Sequence, residues 1–352
     1  MLTCKVTIGS LLGLALLALT SSCGGNMGGG GTGGGGGPVG PSLYVTVNPD
    51  PLVSPPVPSI IQFSSDSNGT VSPSSTVKGP TGLTFEGLAV DTTGNLYVGG
   101  VLPGTTPASQ GELVIVVYAA GSNGMAKPTK TITGNLTGLE GFTQNTVSGL
   151  AVDSSGNLYV SSGLLKGGLV DPGISVFAPT ASGDVAPTNV ITMTNIGAYT
   201  MGQIALDSAG NIYVVASQSL TPGAILIFAS NSTGTVPPTS TITGPETMLD
   251  GVDGVAVDSE GNIYVSNVSS TGVFSIFEFS AGSTGNVAPM RTISGSATTM
   301  SAIGNLTVDS AGNIYVLNDL NILKFSPSAM GNAAPTATMS STFFENSNIA
   351  VQ

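Results

Sequence analysis

The sequence predicts a six-bladed β-propeller, on three observations. First, one motif recurs five times: GLAVDTTGNLYV from Gly87, GLAVDSSGNLYV from Gly149, QIALDSAGNIYV from Gln203, GVAVDSEGNIYV from Gly254 and NLTVDSAGNIYV from Asn305. Second, an aromatic residue, five residues, Gly, three residues and Pro recur six times with unchanged spacing. The anchors are Phe63/Gly69/Pro73, Tyr118/Gly124/Pro128, Phe177/Gly183/Pro187, Phe228/Gly234/Pro238, Phe279/Gly285/Pro289 and Phe325/Gly331/Pro335. Third, the chain ends are complementary. SLYVTV at Ser42–Val47 is the second half of the first motif, and NIAVQ at Asn348–Gln352 is its first half. Joined, they form the missing sixth copy, so the last blade takes one inner strand from the C-terminus and three outer strands from the N-terminus. Closure of this kind removes the open sheet edges that invite aggregation.

The elements follow in chain order. MLTCKVTIGSLLGLALLALTSSCGG carries Lys5, an apolar run from Val6 to Leu19 and small residues before Cys23. That pattern predicts a secretory signal peptide over residues 1–22 and not a lasting membrane span. Cys23 after small residues resembles the lipobox of bacterial lipoproteins, with Thr20 where Leu is usual; the resemblance implies lipidation of Cys23. Cys4 would leave with the leader, so the mature chain would hold no internal disulfide. Residues 23–41 read as a tether: from Gly24 to Gly40, 12 of 17 residues are Gly, which no packed core can use.

The propeller runs from Ser42 to Gln352, about 52 residues per blade, a normal length for four strands. Only 7% of residues are charged and 51 are Gly, so short strands and tight turns are expected, with little helix beyond the leader. In LYV and IYV the apolar residues are contiguous, as suits a sheet covered on both faces. The motif Gly is expected at positive φ, and the motif Pro is expected to open the outermost strand, where a missing N–H does no harm. Each Asp-x-x-Gly-Asn is expected to be an Asx-type turn, with Asp258 accepting backbone N–H bonds, Gly261 at positive φ and Glu260 merely solvated.

GVAVDSEGNIYVSN followed by SIFEF resembles the NHL repeat and the related bacterial SBBP propeller repeat, over nearly all of Ser42–Gln352. The resemblance implies the fold and says little about function, because such propellers serve as binding scaffolds, lyases and lactonase-like hydrolases. The chain has no Trp, unlike WD and quinoprotein blades, and no His, on which amidating lyases and streptogramin-lyase-like propellers depend. Gluconolactonase-like propellers hold a divalent ion with Glu, Asp and Asn, so they remain open.

Function is expected on the face bearing the connections of variable length. Asp50, Glu86, Glu112, Glu140, Asp171, Glu246, Asp250, Asp253, Asp319 and Glu345 map there against Lys166, in a chain of net charge −12. Such a face repels nucleic acid and attracts cations or basic partners. Glu86 and Asp253 stand just before inner strands three blades apart, opposite each other across the channel mouth. They are the candidate metal ligands, with Ca²⁺ as the candidate ion, although the other four positions are Ser148, Gly202, Gly304 and Ser347. Phe85, Phe142, Tyr199, Phe343 and Phe344 are candidate apolar anchors, or else caps on the core between blades. No nucleophile system built on His is possible, and no catalytic residue or cofactor other than the candidate Ca²⁺ is expected. The expected protein is a monomeric, lipid-anchored, non-catalytic module of the bacterial cell envelope, or a secreted one, binding a protein, glycan or cation. A divalent-metal hydrolase of the gluconolactonase type and a purely structural role are the alternatives.

Overall fold

The computed structural model describes residues 41–48, 57–102, 111–139, 147–166, 169–193, 200–218, 221–341 and 347–352. The leader, Cys23, the tether before Pro41, and Asp50, Glu140, Phe142, Tyr199, Phe343, Phe344 and Glu345 lie outside them. The side chains of Ser148, Lys166 and Asp171 also lie outside what is described.

Six antiparallel four-stranded sheets form the ring. From channel to rim, blade I is Thr84–Val90, Leu96–Leu102, Glu112–Tyr118 and Lys130–Ile132; blade II is Val147–Val152, Leu158–Lys166, Leu169–Phe177 and Asn189–Thr192. Blade III is Thr200–Leu206, Ile212–Gln218, Thr221–Phe228 and Ser240–Ile242; blade IV is Gly251–Val257, Ile263–Val268, Phe274–Phe279 and Arg291–Ser294. Blade V is Ile303–Val308, Ile314–Asn318, Asn321–Phe325 and Ala337–Ser340. Blade VI joins the C-terminal Ile349–Val351 to Ser42–Val47, Ser59–Ser64 and Ser75–Lys78. Leu43, Tyr44 and Val45 pair with Val351, Ala350 and Ile349, so the ring closes as the two complementary chain ends require. Among the described residues there is no α-helix, only 3-10 turns such as Pro245–Thr247.

The core lies between blades. Six apolar clusters each join one blade to the next; Ile174, Val176 and Ile191 of blade II, for example, pack with Ile204, Val214 and Leu226 of blade III. All six motif aromatics are buried. Burial of a side chain of that size contributes about 1.5–3 kcal/mol.

The second motif does more than turn the chain. Each motif Gly pairs in parallel with the outermost strand of the preceding blade: Val77 with Gly124, Ile132 with Gly183, Ile191 with Gly234, Ile242 with Gly285, Ile293 with Gly331 and Met339 with Gly69. All six Gly have φ between +60° and +78°, a conformation side chains resist. The residue that follows extends the latch in three blades. Asp184, Asn286 and Asn332 accept the N–H groups of Leu136, Glu246 and Ala297 in the preceding blade's 3-10 turn. The motif Pro does not open the outermost strand, which starts two residues later. The edge is covered chiefly by the neighbouring blade's loop, with the Pro ahead of it.

Three of the cations tie neighbouring blades together. Arg291 pairs with Glu278 and donates to the carbonyls of Pro327 and Ala329 in the next blade's loop. Lys130 and Lys324 reach the carbonyls of Pro179 and Ser65 in the same way.

Candidate functional site at the channel mouth

In blades I to V each inner strand runs from the variable face to its Asp-x-x-Gly-Asn turn, and the two ends are built differently. At the turn end the five Asp side chains act alike. Asp258 Oδ1 accepts the N–H groups of Glu260 and Asn262 at 2.9 Å, while Oδ2 accepts Asn262 Nδ2 at 3.0 Å and Tyr264 OH at 3.1 Å. Asp91, Asp153, Asp207 and Asp309 repeat this set with Tyr97, Tyr159, Tyr213 and Tyr315. Burial, together with the adjacent Asp207 carboxylate and its hydrogen bond, raises the Tyr213 phenol to about 12. Gly261 has φ +85° and Glu260 is exposed, so this turn is structural, as its repetition suggests.

At the variable end, the five inner strands of blades I to V carry a β-bulge. Glu86 and Asp253 therefore do not precede their strands; they lie inside them, and the bulge turns them out of the alternating register. The two bulge residues come as pairs: Glu86–Gly87, Ser148–Gly149, Gly202–Gln203, Asp253–Gly254 and Gly304–Asn305, with Ser347–Asn348 in blade VI. In the first five pairs one member is Gly, and at Gly149, Gly202 and Gly254 the reason is steric. A Cβ on Gly254 would come within 2.9 Å of Leu306 N and Gln203 Oε1, and one on Gly149 within 2.7 Å of Ile204 N. Neighbouring bulges nearly touch around the ring.

Amides line the mouth between these bulges. Gln203 Oε1 crosses to blade IV and accepts Val255 N–H at 3.1 Å, and Asn305 Nδ2 donates to Asn348 Oδ1 in blade VI. The motif comparison carried the signal for these three residues, since Gln203, Asn305 and Asn348 replace the usual Gly. Their variation looks like drift until the bulge brings them together. Below the mouth, the inner strands of all six blades enclose a channel of about 230 Å³.

The acids of this face differ in their attachments. Glu112 Oε1 accepts Thr133 Oγ1 at 2.6 Å, Asp250 Oδ2 accepts Ser270 N–H at 2.6 Å, and Asp319 holds a two-residue turn at φ +56°. Asp253 accepts no hydrogen bond from any described residue. Its side chain is open to solvent, yet protein surrounds it at the mouth, and that desolvation raises its carboxyl pKa. Lys78, exposed at the end of its strand, adds a base to this side of blade VI that mapping by loops misses. Phe85 is 1% exposed and belongs to the core, so it is no surface anchor. Among the described residues no three His, Cys, Asp or Glu side chains gather, and Glu86 and Asp253 remain on opposite blades.

No family model matches the chain, and no curated protein sequence does. Solved structures similar to it include the PQQ-bound aldose sugar dehydrogenase of Streptomyces coelicolor, at 14% identity and TM-score 0.48, covering 78% of this chain and 85% of that one. The WD40 domain of Toxoplasma gondii coronin is similar at 10% identity and TM-score 0.46, covering 85% and 68%. The Malassezia sympodialis allergen Mala s 1 is similar at 12% identity and TM-score 0.41, covering 75% of each chain. Likeness at this level does not bear on what the present chain binds.

Proposed function

We propose that the protein is a non-catalytic binding module of the NHL and SBBP type, lipid-anchored at Cys23 in a bacterial envelope and engaging its ligand through the variable acidic face. One contrast supports the reading. The repeated acids are consumed by the scaffold, whereas Asp253, at the mouth of the channel, is exposed and accepts no hydrogen bond from the described residues. A chain without His lacks the usual general base for nucleophilic chemistry, which favours binding over catalysis. The acidic face suits a cationic or basic ligand over a nucleic acid.

The test is capture of a partner from envelope extracts on immobilised protein. Wild type and Glu260→Gln, altered on the turn face, should retain the same partner, and the triple variant Glu86→Gln/Glu246→Gln/Asp253→Asn should lose it. Equal capture by all three would move the function elsewhere. For the anchor, the wild type should enter the detergent phase on partition and Cys23→Ser should stay aqueous; no difference between them overturns that part.

A further inference from the structure

Asp253 stands beside a gap that one neighbour leaves open. The equivalent positions on the two flanking blades are both Gly. A Cβ on Gly202 would meet Val215 Cγ2 at 2.7 Å and the Asp253 carbonyl oxygen at 3.1 Å, so that side is a packed wall, whereas one on Gly304 would lie in ordinary contact, 3.6 Å from Asp253 Oδ2 and 3.9 Å from Leu317 Cβ, so that side is open. Glu86, across the ring, is flanked instead by Ser148 and Ser347. The groups beside Asp253 include several acceptors. Asn305 donates one amide N–H to Asn348 and keeps its carbonyl, Gln203 Oε1 accepts Val255 N–H and keeps a second lone pair, and the carboxylate itself accepts no hydrogen bond from the described residues. Beneath lies the 230 Å³ channel, room for about seven waters that a slim alkyl stem could displace.

We propose that the gap bounded by Asp253, Gly202, Gly304, Gln203 and Asn305 is a pocket for a single organic cation, an ammonium or guanidinium group carried on an unbranched stem. An acceptor-rich gap with one carboxylate matches the donor-only chemistry of such groups. The raised carboxyl pKa agrees, because an incoming cation offsets the desolvation that raises it. This deepens the proposed function and rests on its assignment of the variable face.

Calorimetric titration of the full chain tests the pocket, with n-butylammonium, n-butylguanidinium, n-butanol and the blocked peptides acetyl-Gly-Lys-Gly-amide and acetyl-Gly-Arg-Gly-amide as probes. Single-site binding of a cationic probe is expected, with n-butanol at least about tenfold weaker. Binding of the small amines identifies a free-amine ligand, and binding of the peptides alone places the cation on a polypeptide; either supports the pocket. Asp253→Asn should weaken binding about tenfold or more. Gly304→Ala should do the same while leaving the fold intact, because its methyl meets only Asp253 Oδ2 at 3.6 Å and Leu317 Cβ at 3.9 Å. Glu260→Gln, on the turn face, should bind within about twofold of wild type. No binding by any cationic probe, equal binding of n-butanol, or unchanged affinity in both Asp253→Asn and Gly304→Ala overturns the pocket. So does calcium binding without organic-cation binding. Partner capture that survives such a failure would keep the proposed function and discard only the pocket.

Discussion

Asp253 and Asp258 stand five residues apart at opposite ends of one strand, and the same chemical group does different work at each. Asp258 sits where five blades agree and accepts four hydrogen bonds from its own turn. Asp253 sits where the six blades differ and accepts none from the described residues. A repeated carboxylate in this ring is therefore a scaffold device. The Asp253 carboxylate, at a variable, bulged position, carries no such load.

The contrast should show first in stability. Asp258→Ala leaves four donors without their acceptor and should cost about 2–3 kcal/mol in urea denaturation, whereas Asp253→Asn should change stability by less than about 0.5 kcal/mol. Equal losses would erase the distinction between the two ends.

Glycine supplies the next test. Gly295 has φ +123°, and a Cβ there would lie 2.5 Å from Asn332 Oδ1, so Gly295→Ala should break the latch between blades IV and V at a cost of about 2 kcal/mol. Gly304→Ala, at the mouth, should be neutral or stabilising by roughly 0.5 kcal/mol, because it restricts the unfolded chain without a folded-state clash. A large loss at Gly304 in the same denaturation series would mean that the gap beside Asp253 is a packing requirement.

The smallest effect is on acid stability. Burial alone would raise the Asp91 carboxyl, but hydrogen bonds from Asn95 and Thr93 outweigh it and hold the pKa below its ordinary value. With the folded value depressed, this stabilisation is complete above the unfolded pKa and is lost as pH falls through the folded one. Wild type should begin to lose stability only below about pH 4. Asp91→Asn should show a shallower loss over that range in a pH series of thermal melts.

Much of this architecture is legible in the sequence, because each blade states the same instruction. Fixed spacing revealed the strands and the complementary half-motifs revealed ring closure. The positive-φ Gly and the Asx turns follow from residue chemistry within a few positions. The latch was not legible, since Gly124 and Val77 belong to different blades and nothing local announces their pairing. The mouth was half legible. Asp253 and Glu86 could be placed on opposite blades by counting, but the bulge that turns them, and the gap left by Gly304, arise from close contact between successive strands. Phe85 stayed between anchor and core cap in the sequence for a related reason: within a bulged strand, position alone does not tell the core side from the open side, and the structure puts it in the core.

Thermal melting of wild type and Asp253→Asn, each with and without n-butylammonium, tests most directly whether the open end of the strand is the functional one. The two proteins should melt at nearly the same temperature alone, and only wild type should gain stability with the amine. An equal gain in both, or a lower melting temperature for Asp253→Asn without the amine, would return Asp253 to the scaffold beside Asp258.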